Sequence, residues 1–254
     1  MIGLEVCVDT IDGLRQAVAA GVARIELCGP LAVGGTTPPV GLVEAARGST
    51  VPVYAMIRPR DGDFVFSPAD EAAMLAEIRF VRMAGLAGVV LGASRADGTL
   101  DEAMLARLSM AANGLGRTLH RAFDLAPDPL AALETAIGLG FERVLTSGGA
   151  PRAVDGAVVL ARLVRAAAGR IEIMAGSGIT PDNVDGLVAA CGVRAVHASC
   201  RSAVPADERL ARFGFGGPGV ATDGAVVRAM LARLADCPQP APGGYAPEAD
   251  RVGE

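Results

Sequence analysis

The chain has 254 residues, of which 51% are hydrophobic and 20% are charged, and its formal net charge at pH 7 is −5. This length and hydrophobic content suit one large globular domain and argue against a disordered chain. The acidic balance argues against the basic face that nucleic-acid binding usually needs, so we expect no nucleic-acid partner.

The amino-terminal stretch predicts a βαβ unit in which a Glu-x-Cys pattern occurs twice. Its elements are a strand over residues 2–8, a helix over 12–20 and a strand over 24–28. Because side chains alternate along a strand, Glu5 and Cys7 share one face, and Glu26 and Cys28 share one face of the next strand. Neighbouring parallel strands lie roughly 4.8 Å apart, so the four side chains can converge, and the geometry permits the two thiolates to share one metal ion.

The rest of the chain alternates strands and helices. After a loop rich in glycine and proline over residues 29–39, we predict strands over residues 51–57, 88–91, 117–123, 142–146, 170–174 and 194–198. We predict helices over residues 40–47, 67–85, 101–112, 128–139 and 154–168, from Thr180 and Pro181 onward, and over 222–234. Three of these helices begin at a Ser, Thr or Asp followed by proline, which is a typical start signal.

This alternation predicts an α/β fold with a single (β/α)8 TIM-type barrel rather than an open doubly wound sheet. We assign the barrel domain to residues 1–236. Residues 201–221 fit this pattern least, and we interpret them as a lid or an interface. Residues 237–254 carry proline and glycine without a periodic apolar face, which predicts a disordered carboxyl-terminal tail.

Cysteine usage and hydropathy indicate where the protein works. The five cysteines are odd in number, and the first residues lack a basic segment followed by an apolar run and a cleavage site. These features favour a reducing cytoplasm. The longest apolar candidate, around residues 83–94, is short and interrupted by glycine, so we expect no membrane span.

Polar residues cluster at the carboxyl ends of the predicted strands, where TIM-barrel sites form. His120 and His197 are the only histidines, so any imidazole acid, base or ligand is one of them. Along a regular strand His120 and Arg121 cannot both point inward unless the strand ends there. Besides Cys7 and Cys28, the ligand pocket that we predict comprises Glu5, Glu26, Arg58, His120, Asp124, Ser147, Gly176, Gly178 and His197.

Each group in this pocket has a structural alternative. Cys7 and Cys28 either bind a metal or behave as buried apolar side chains. Buried carboxylates need partners, which for Glu5 and Glu26 are a metal or the arginines at positions 58 and 121.

The loops at these strand ends suit an anionic ligand. Arg58 either binds a carboxylate or phosphate or forms a salt bridge to residues 26, 61 or 63. Gly176 to Gly178, ahead of the helix predicted at Thr180, either bind an anion through backbone N–H groups or form a tight turn. Ser147 follows the sixth strand and would share that pocket.

Several sequence blocks resemble the CutC copper-homeostasis family. In chain order they are LEVCVD, RIELC, GGTTP, VPVYAMIRPRDGDFVFS, LHRAFD, RVLTSGG, IMAGSGIT and VHAS. The resemblance implies a TIM-type barrel, a cytoplasmic and often oligomeric protein, and a role in control of copper levels with Cu(I) binding. The family's proposed copper ligands fall on Cys7 and Cys28. Local departures are residues 29–31 and Cys200, which stands where alanine is usual.

Three hypotheses follow. The first is a copper-homeostasis protein that binds Cu(I) through thiolates at the barrel mouth. The second is an enzyme on a small anionic metabolite, held by Arg58 and the loop 176–178, with His120 and a carboxylate of Glu5, Glu26 or Asp124 as acid and base. Without lysine, it has no Schiff-base mechanism. The third is a scaffold whose loop 213–219 serves homo-oligomerisation.

Overall fold

Eight parallel strands close into a barrel in the computed structural model, which describes residues 1–213, 215 and 219–238. The barrel strands are β1 Gly3–Val8, β2 Arg24–Leu27, β3 Val53–Met56, β4 Gly88–Leu91, β5 Gly116–Leu119, β6 Arg143–Thr146, β7 Glu172–Gly176 and β8 Ala195–Ala198. Each strand pairs with the next, and β8 pairs with β1 in parallel to close the ring. The predicted (β/α)8 barrel is therefore confirmed.

Helices follow the strands along the chain. They are α1 Ile11–Ala20, α2 Val40–Ala46, α3 Pro68–Ala84, α4 Glu102–Ala111, α5 Pro129–Gly138, α6 Ala157–Ala167, α7 Val184–Cys191, α8 Glu208–Ala211 and α9 Gly224–Asp236. The predicted start of α3 is confirmed by a capping box, in which the Ser67 hydroxyl accepts from the Asp70 backbone N–H and the Asp70 carboxylate accepts from the Ser67 N–H. Ahead of Pro129, the Asp128 carboxylate caps α5 by accepting from the Leu130 and Ala131 backbone N–H groups.

Three of the element boundaries that differ from the predictions lie at or just after the carboxyl ends of barrel strands. Strand β5 was predicted to run to residue 123, but it ends at Leu119, and a 3₁₀ turn occupies Arg121–Leu125 because the His120 side chain caps it. Strand β7 extends two residues further than predicted, to Gly176. The helix predicted at Thr180 begins only at Val184, because the Asn183 side chain bonds back to Thr180 N–H and the Gly178 carbonyl and holds a turn there.

Apolar packing is divided between the outside and the inside of the barrel. A large core lies between the strands and the surrounding helices. The barrel interior carries two smaller clusters, one formed by Cys28, Tyr54, Met56 and Val90 and the other by Leu145, Met174 and Ala195. The interior is thus a packed core rather than a pore.

A polar layer closes the barrel at the amino ends of its strands. The guanidinium groups of Arg24 and Arg143 lie 5.5 and 5.0 Å from the ring centroid of Tyr54. Arg24 is paired with the buried Glu5 carboxylate, and Arg143 Nε donates to Glu172 Oε2 at 3.0 Å. This layer is connected to the carboxyl-end residues of the barrel through Glu5, which contacts both Arg24 and His197.

Gly88 in β4 is required by the close approach of Tyr54. A Cβ at position 88 would overlap the Tyr54 ring and lie 2.6 Å from the Gly116 carbonyl oxygen. Because neither can move without disturbing the sheet, we expect Gly88→Ala to lower the free energy of unfolding in urea by about 1–3 kcal/mol. The control Gly186→Ala, in α7 with free space around the added Cβ, should be neutral or slightly stabilising; equal losses at both positions would contradict this packing.

The segment after β8 forms a small hairpin outside the barrel. Strand β9 Arg201–Val204 pairs antiparallel with β10 Gly219–Thr222. Phe213 and Phe215 are exposed on it, whereas residues 214 and 216–218 of the predicted loop lie outside the described residues.

The carboxyl-terminal boundary was predicted before residue 237. Cys237 is instead buried against the core, and residues 239–254 of the predicted tail lie outside the described residues. Among the helices that the structure describes, each is too short or too polar to cross a membrane.

Candidate functional site

A cavity of about 430 Å³ lies at the carboxyl ends of the strands. Its lining comes from strand ends all around the barrel and includes Cys7, Glu26, Arg58, Phe64, His120, Gly178, His197, Cys200 and Arg201. This is the face on which TIM-barrel sites form. The predicted metal ligands and the predicted ligand pocket therefore both contribute side chains to one cavity.

Cys7, Glu26 and His197 form a group of possible metal ligands. One ligand atom from each lies within 4.8 Å of the other two. The strand register explains the grouping, since Cys7 of β1 is level with Glu26 of β2, and the closing β1–β8 pair places His197 next to Glu5. A thiol sulfur, a carboxylate oxygen and an imidazole nitrogen therefore converge on one point.

The Glu5 carboxylate orients the His197 ring. Its Oε1 lies 2.8 Å from Nδ1 of His197, and its Oε2 accepts from Arg24. Burial alone would raise the pKa of Glu5, but the hydrogen bond and charge of His197, together with Arg24, lower it to about 2. With Nδ1 engaged by an ionised carboxylate, Nε2 is turned towards Glu26, whose Oε2 is 3.8 Å away. Carboxylate–histidine pairs of this kind orient metal-binding imidazoles.

The charge around His197 favours a bound cation. Burial opposes its charged form, yet electrostatic interactions with Cys7 and Glu26 and hydrogen bonds to Cys7 and Glu5 raise its pKa well above the ordinary value. Burial raises the pKa of Glu26, and its Oε1 is buried without a hydrogen-bond partner among the described residues. A metal ion that binds Nε2 would replace the proton and supply the missing partner.

Cys28 lies beside this group rather than within it. Its thiol donates to Glu26 Oε2 at 3.4 Å, and it packs with the inner apolar cluster. Burial, followed by the charges of Glu26 and Cys7, raises its pKa well above the ordinary value. Cys200 does line the cavity, and burial and the charge of Cys7 raise its pKa to about 12. Cys7 is thus the cysteine that the structure brings to the histidine and the carboxylate.

Arg58 is held by backbone carbonyls rather than by a carboxylate. Its Nη1 donates to the carbonyls of Val33 and Gly35 at 2.9 and 2.8 Å, and its Nη2 donates to Gly62 at 2.8 Å. The guanidinium lies 5.0 Å from the Phe64 ring centroid. The salt bridges considered as the structural alternative are therefore replaced by three carbonyl contacts, and Arg58 ties the loop after β2 to the loop after β3.

His120 is buried, and only one side of its ring is engaged. Its Nδ1 accepts from the Ala122 backbone N–H at 3.1 Å, so the neutral ring carries its proton on Nε2. That Nε2 has no partner in the part of the chain that the structure describes. Gly92 makes room for the ring, because a Cβ there would lie 2.5 Å from its Cε1. Burial, followed by the charge of Arg58, lowers the pKa of His120 to about 3.

Asp124 and Ser147 form a structural clamp outside the described lining of the cavity. The Asp124 carboxylate accepts from the Thr146 hydroxyl at 2.5 Å and from the Ser147 and Gly149 backbone N–H groups at 3.1 Å. It also pairs with Arg121, whose Nη2 donates to the Ser147 hydroxyl. These contacts join the loop after β6 to the 3₁₀ turn after β5.

The glycines after β7 have different roles. Gly176 ends the strand, and a Cβ there would overlap Leu145 and lie 3.4 Å from His197 Cβ, so it permits close packing beside His197. Gly178 and Ser177 line the cavity. The helix N-terminus expected directly behind them is absent from this part of the described chain, since α7 begins at Val184.

The neutral state of His120 predicts an acid-sensitive stability. Its pKa is about 3 in the folded protein and 6.5 in the reference state, so the unfolded chain binds the extra proton between these values. This contribution is complete above pH 6.5 and is lost as the pH falls towards 3. Urea unfolding should show the wild-type free energy dropping by about 2 kcal/mol more than that of His120→Asn between pH 6.5 and 4.5; parallel profiles would contradict it.

Arg201 lines the cavity but was not predicted from the sequence. It is the first residue of β9 and comes directly after the loop that follows β8. Its place three residues after the last barrel strand is the signal that would have found it. His197 was predicted for the pocket, but its place beside Cys7 follows only from barrel closure.

The chain is similar to known proteins of one family. The model of the CutC family matches residues 2–202. A CutC family protein of Rhizobium meliloti strain 1021 is 56% identical over 235 residues, which cover 92% of this chain and 96% of that protein. One of Caulobacter vibrioides strain NA1000 is 52% identical over 211 residues, covering 83% and 86%.

Two solved structures are similar to this chain, the first of them a member of the same family. The Streptococcus agalactiae CutC structure, which bears the name of a copper homeostasis protein, has a TM-score of 0.75 and 32% identity and covers 78% of this chain and 99% of its own. Phosphoribosyl anthranilate isomerase from Thermococcus kodakaraensis has a TM-score of 0.57 at 14% identity, over 93% of this chain and 100% of its own, and shares the fold alone.

Proposed function

This chain belongs to the CutC family, and we propose that it binds Cu(I) at Cys7, His197 and Glu26 in the control of copper levels. The observation that carries the proposal is the convergence of the three ligand atoms within 4.8 Å of one another. Thiolate and imidazole are donors that copper accepts, and the soft thiolate favours Cu(I). Copper is here the cargo rather than a resident cofactor.

Each neighbouring residue has a part in this proposal. Cys7 supplies the soft ligand, and Glu5 holds the His197 ring with Nε2 directed towards Glu26. Glu26 has a buried oxygen that lacks a partner among the described residues, and it neutralises the charge of the ion. Binding of the ion displaces protons from its ligand atoms, so Cu(I) binding should weaken at acidic pH. Cys28 donates a hydrogen bond to Glu26 and so helps to position that carboxylate.

We assign this function to the cytoplasm. The five cysteines all lie within described residues, and all five are buried free thiols. A reducing compartment keeps such thiols free and keeps copper as Cu(I). We also retain the prediction of a homo-oligomer, for which the exposed Phe213 and Phe215 of the hairpin are candidate contacts; light scattering of the purified protein checks it.

The experiment is an anaerobic titration of the reduced protein with Cu(I) in competition with a chromogenic chelator. We expect one Cu(I) per chain. The same titration with Zn²⁺ is the necessary comparison, because zinc also accepts sulfur, nitrogen and carboxylate ligands. Absence of Cu(I) binding, or a clear preference for Zn²⁺, would contradict the proposal.

A second candidate function is an enzyme that acts on a small anionic metabolite. The observation that favours it is that Arg58 and His120, both buried in the cavity wall, each keep one N–H without a partner among the described residues. Buried donors of this kind cost free energy unless a ligand satisfies them. Thermal shift measurements with a panel of phosphorylated and carboxylated metabolites test it: a selective rise in melting temperature supports it, and a uniform absence of response contradicts it.

A further inference from the structure

Three buried donors without partners belong to residues that line the cavity on strand ends other than those of Cys7 and Glu26. They are Nε of Arg58 after β3, Nε2 of His120 after β5 and Nε of Arg201 after β8, each without a hydrogen-bond acceptor in the described residues. Buried polar groups are normally paired, so three such donors around one cavity require an explanation.

Local rotation cannot satisfy the donors of Arg58 and His120. The two terminal nitrogens of Arg58 are fixed on three carbonyls, and its guanidinium packs on Phe64. The His120 ring is fixed by the Ala122 N–H on one side, and its centroid lies 4.8 Å from that of Phe64. Their remaining N–H groups are therefore held in place for an acceptor that comes from outside the chain.

The character of these groups defines the ligand. All three offer only N–H donors, and Arg58 and Arg201 also carry positive charge. The nearby Arg121 lines the cavity too, but its charge is balanced by Asp124. A ligand that satisfies this wall must present several acceptor oxygens and negative charge. Carboxylates and phosphates have both properties, and 430 Å³ is a volume typical of small-molecule sites.

We propose that the cavity binds a small carboxylate- or phosphate-bearing ligand through Nε of Arg58, Nε2 of His120 and Nε of Arg201. This site is independent of Cu(I) binding, and it supplies the recognition element of the second candidate function. Because it uses other side chains than Cys7, Glu26 and His197, it is tested on the metal-free protein.

The test is isothermal titration of the reduced, metal-free full chain with inorganic phosphate and, separately, with malonate. We expect saturable binding of at least one of them at a single site. Arg201→Gln should weaken that binding about tenfold or more, because it removes a charged buried donor. Arg209→Gln is the matched control, since it removes the same charge from a side chain that is 89% exposed and pairs with Asp207.

Two substitutions at His120 separate ligand binding from folding. His120→Asn keeps a side-chain oxygen that accepts from the Ala122 N–H but removes the Nε2 donor. His120→Gln places an amide N–H near the position of Nε2 but loses that cap. We expect Asn to weaken anion binding about tenfold and Gln to retain it within about threefold, whereas a structural role for His120 would give the opposite order.

The titrations with phosphate and malonate have outcomes that either support or overturn the proposed site. Binding of phosphate alone, malonate alone or both supports the site and identifies the oxyanion class. Binding of neither at millimolar concentration overturns the proposal, and so does wild-type affinity in both Arg201→Gln and His120→Asn. The anion is titrated into metal-free protein and Cu(I) is titrated without added anion, so failure of the anion site and failure of the copper site are observed separately.

Discussion

Replacement of Cys7 by serine should strongly weaken Cu(I) binding. Cys7 is the one cysteine within the 4.8 Å group in the described chain, and its sulfur is the soft ligand in a set completed by imidazole and carboxylate. Loss of residues that merely orient a metal ligand costs about 10- to 100-fold in affinity, so loss of this ligand should cost about 100-fold or more. Competition titration of the reduced variant with Cu(I) measures the change.

Two other cysteines provide the comparison. Cys28 donates a hydrogen bond to Glu26 but is not one of the three grouped ligand residues. Cys28→Ser should therefore weaken Cu(I) binding less than Cys7→Ser does. Cys191 is buried in α7, where its thiol donates to the Leu187 carbonyl at 2.9 Å, and Cys191→Ser should leave the affinity unchanged. If Cys28→Ser proves the more damaging change, copper is held on a different thiol from the one we assign.

The largest loss of stability is expected from Arg24→Met. The partner of Arg24 is the Glu5 carboxylate, which is 1% exposed. The low pKa of Glu5 keeps this carboxylate charged at neutral pH. Methionine retains most of the apolar stem over Tyr54 but leaves this carboxylate with His197 alone as its partner among the described residues. Breaking a buried ion pair in this way costs about 3–5 kcal/mol, and urea unfolding at pH 7 measures it.

Arg143 provides the matched control for this substitution. It packs on the same Tyr54 ring, but its partners Glu172 and Glu142 have side chains 36% and 49% exposed. Arg143→Met should therefore cost about 1 kcal/mol or less in ion pairing. Adding Glu5→Gln to Arg24→Met should recover part of the loss, because the uncompensated charge is gone. Equal costs for the two arginines would show that ring packing, and not the buried carboxylate, dominates this layer.

The barrel and most of its element boundaries follow from apolar periodicity and from the turn residues between elements. The exceptions are positions where a side chain replaces backbone pairing. His120 caps a 3₁₀ turn and ends β5 early, and Asn183 folds back on Thr180 and delays α7. A hydrophobic pattern does not reveal such local bonds, because the same polar residue is equally compatible with a continued strand or helix.

The candidate site was predicted in parts. Side-chain alternation places Glu5, Cys7 and Glu26 inward, as the structure has them. It does not show that β8 closes against β1, and so it leaves His197 in the metabolite pocket instead of beside Cys7.

For Asp124 and Ser147, the sequence predicts a place in the ligand pocket, but the structure uses their polar atoms elsewhere. Both follow strand ends, yet their polar atoms are used up in holding two loops together. Position along the chain identifies polar residues at the right face of the barrel, but only three-dimensional contacts show which of them keep a free donor or acceptor.

The proposed copper site consists of Cys7, His197 and Glu26 in the barrel mouth. X-ray absorption at the copper edge, on reduced protein loaded with one Cu(I) per chain, tests it most directly. We predict one sulfur neighbour together with nitrogen or oxygen neighbours that include imidazole, and loss of the sulfur signal in Cys7→Ser. A copper environment of two or more sulfurs without imidazole, or a spectrum unchanged by Cys7→Ser, would contradict it.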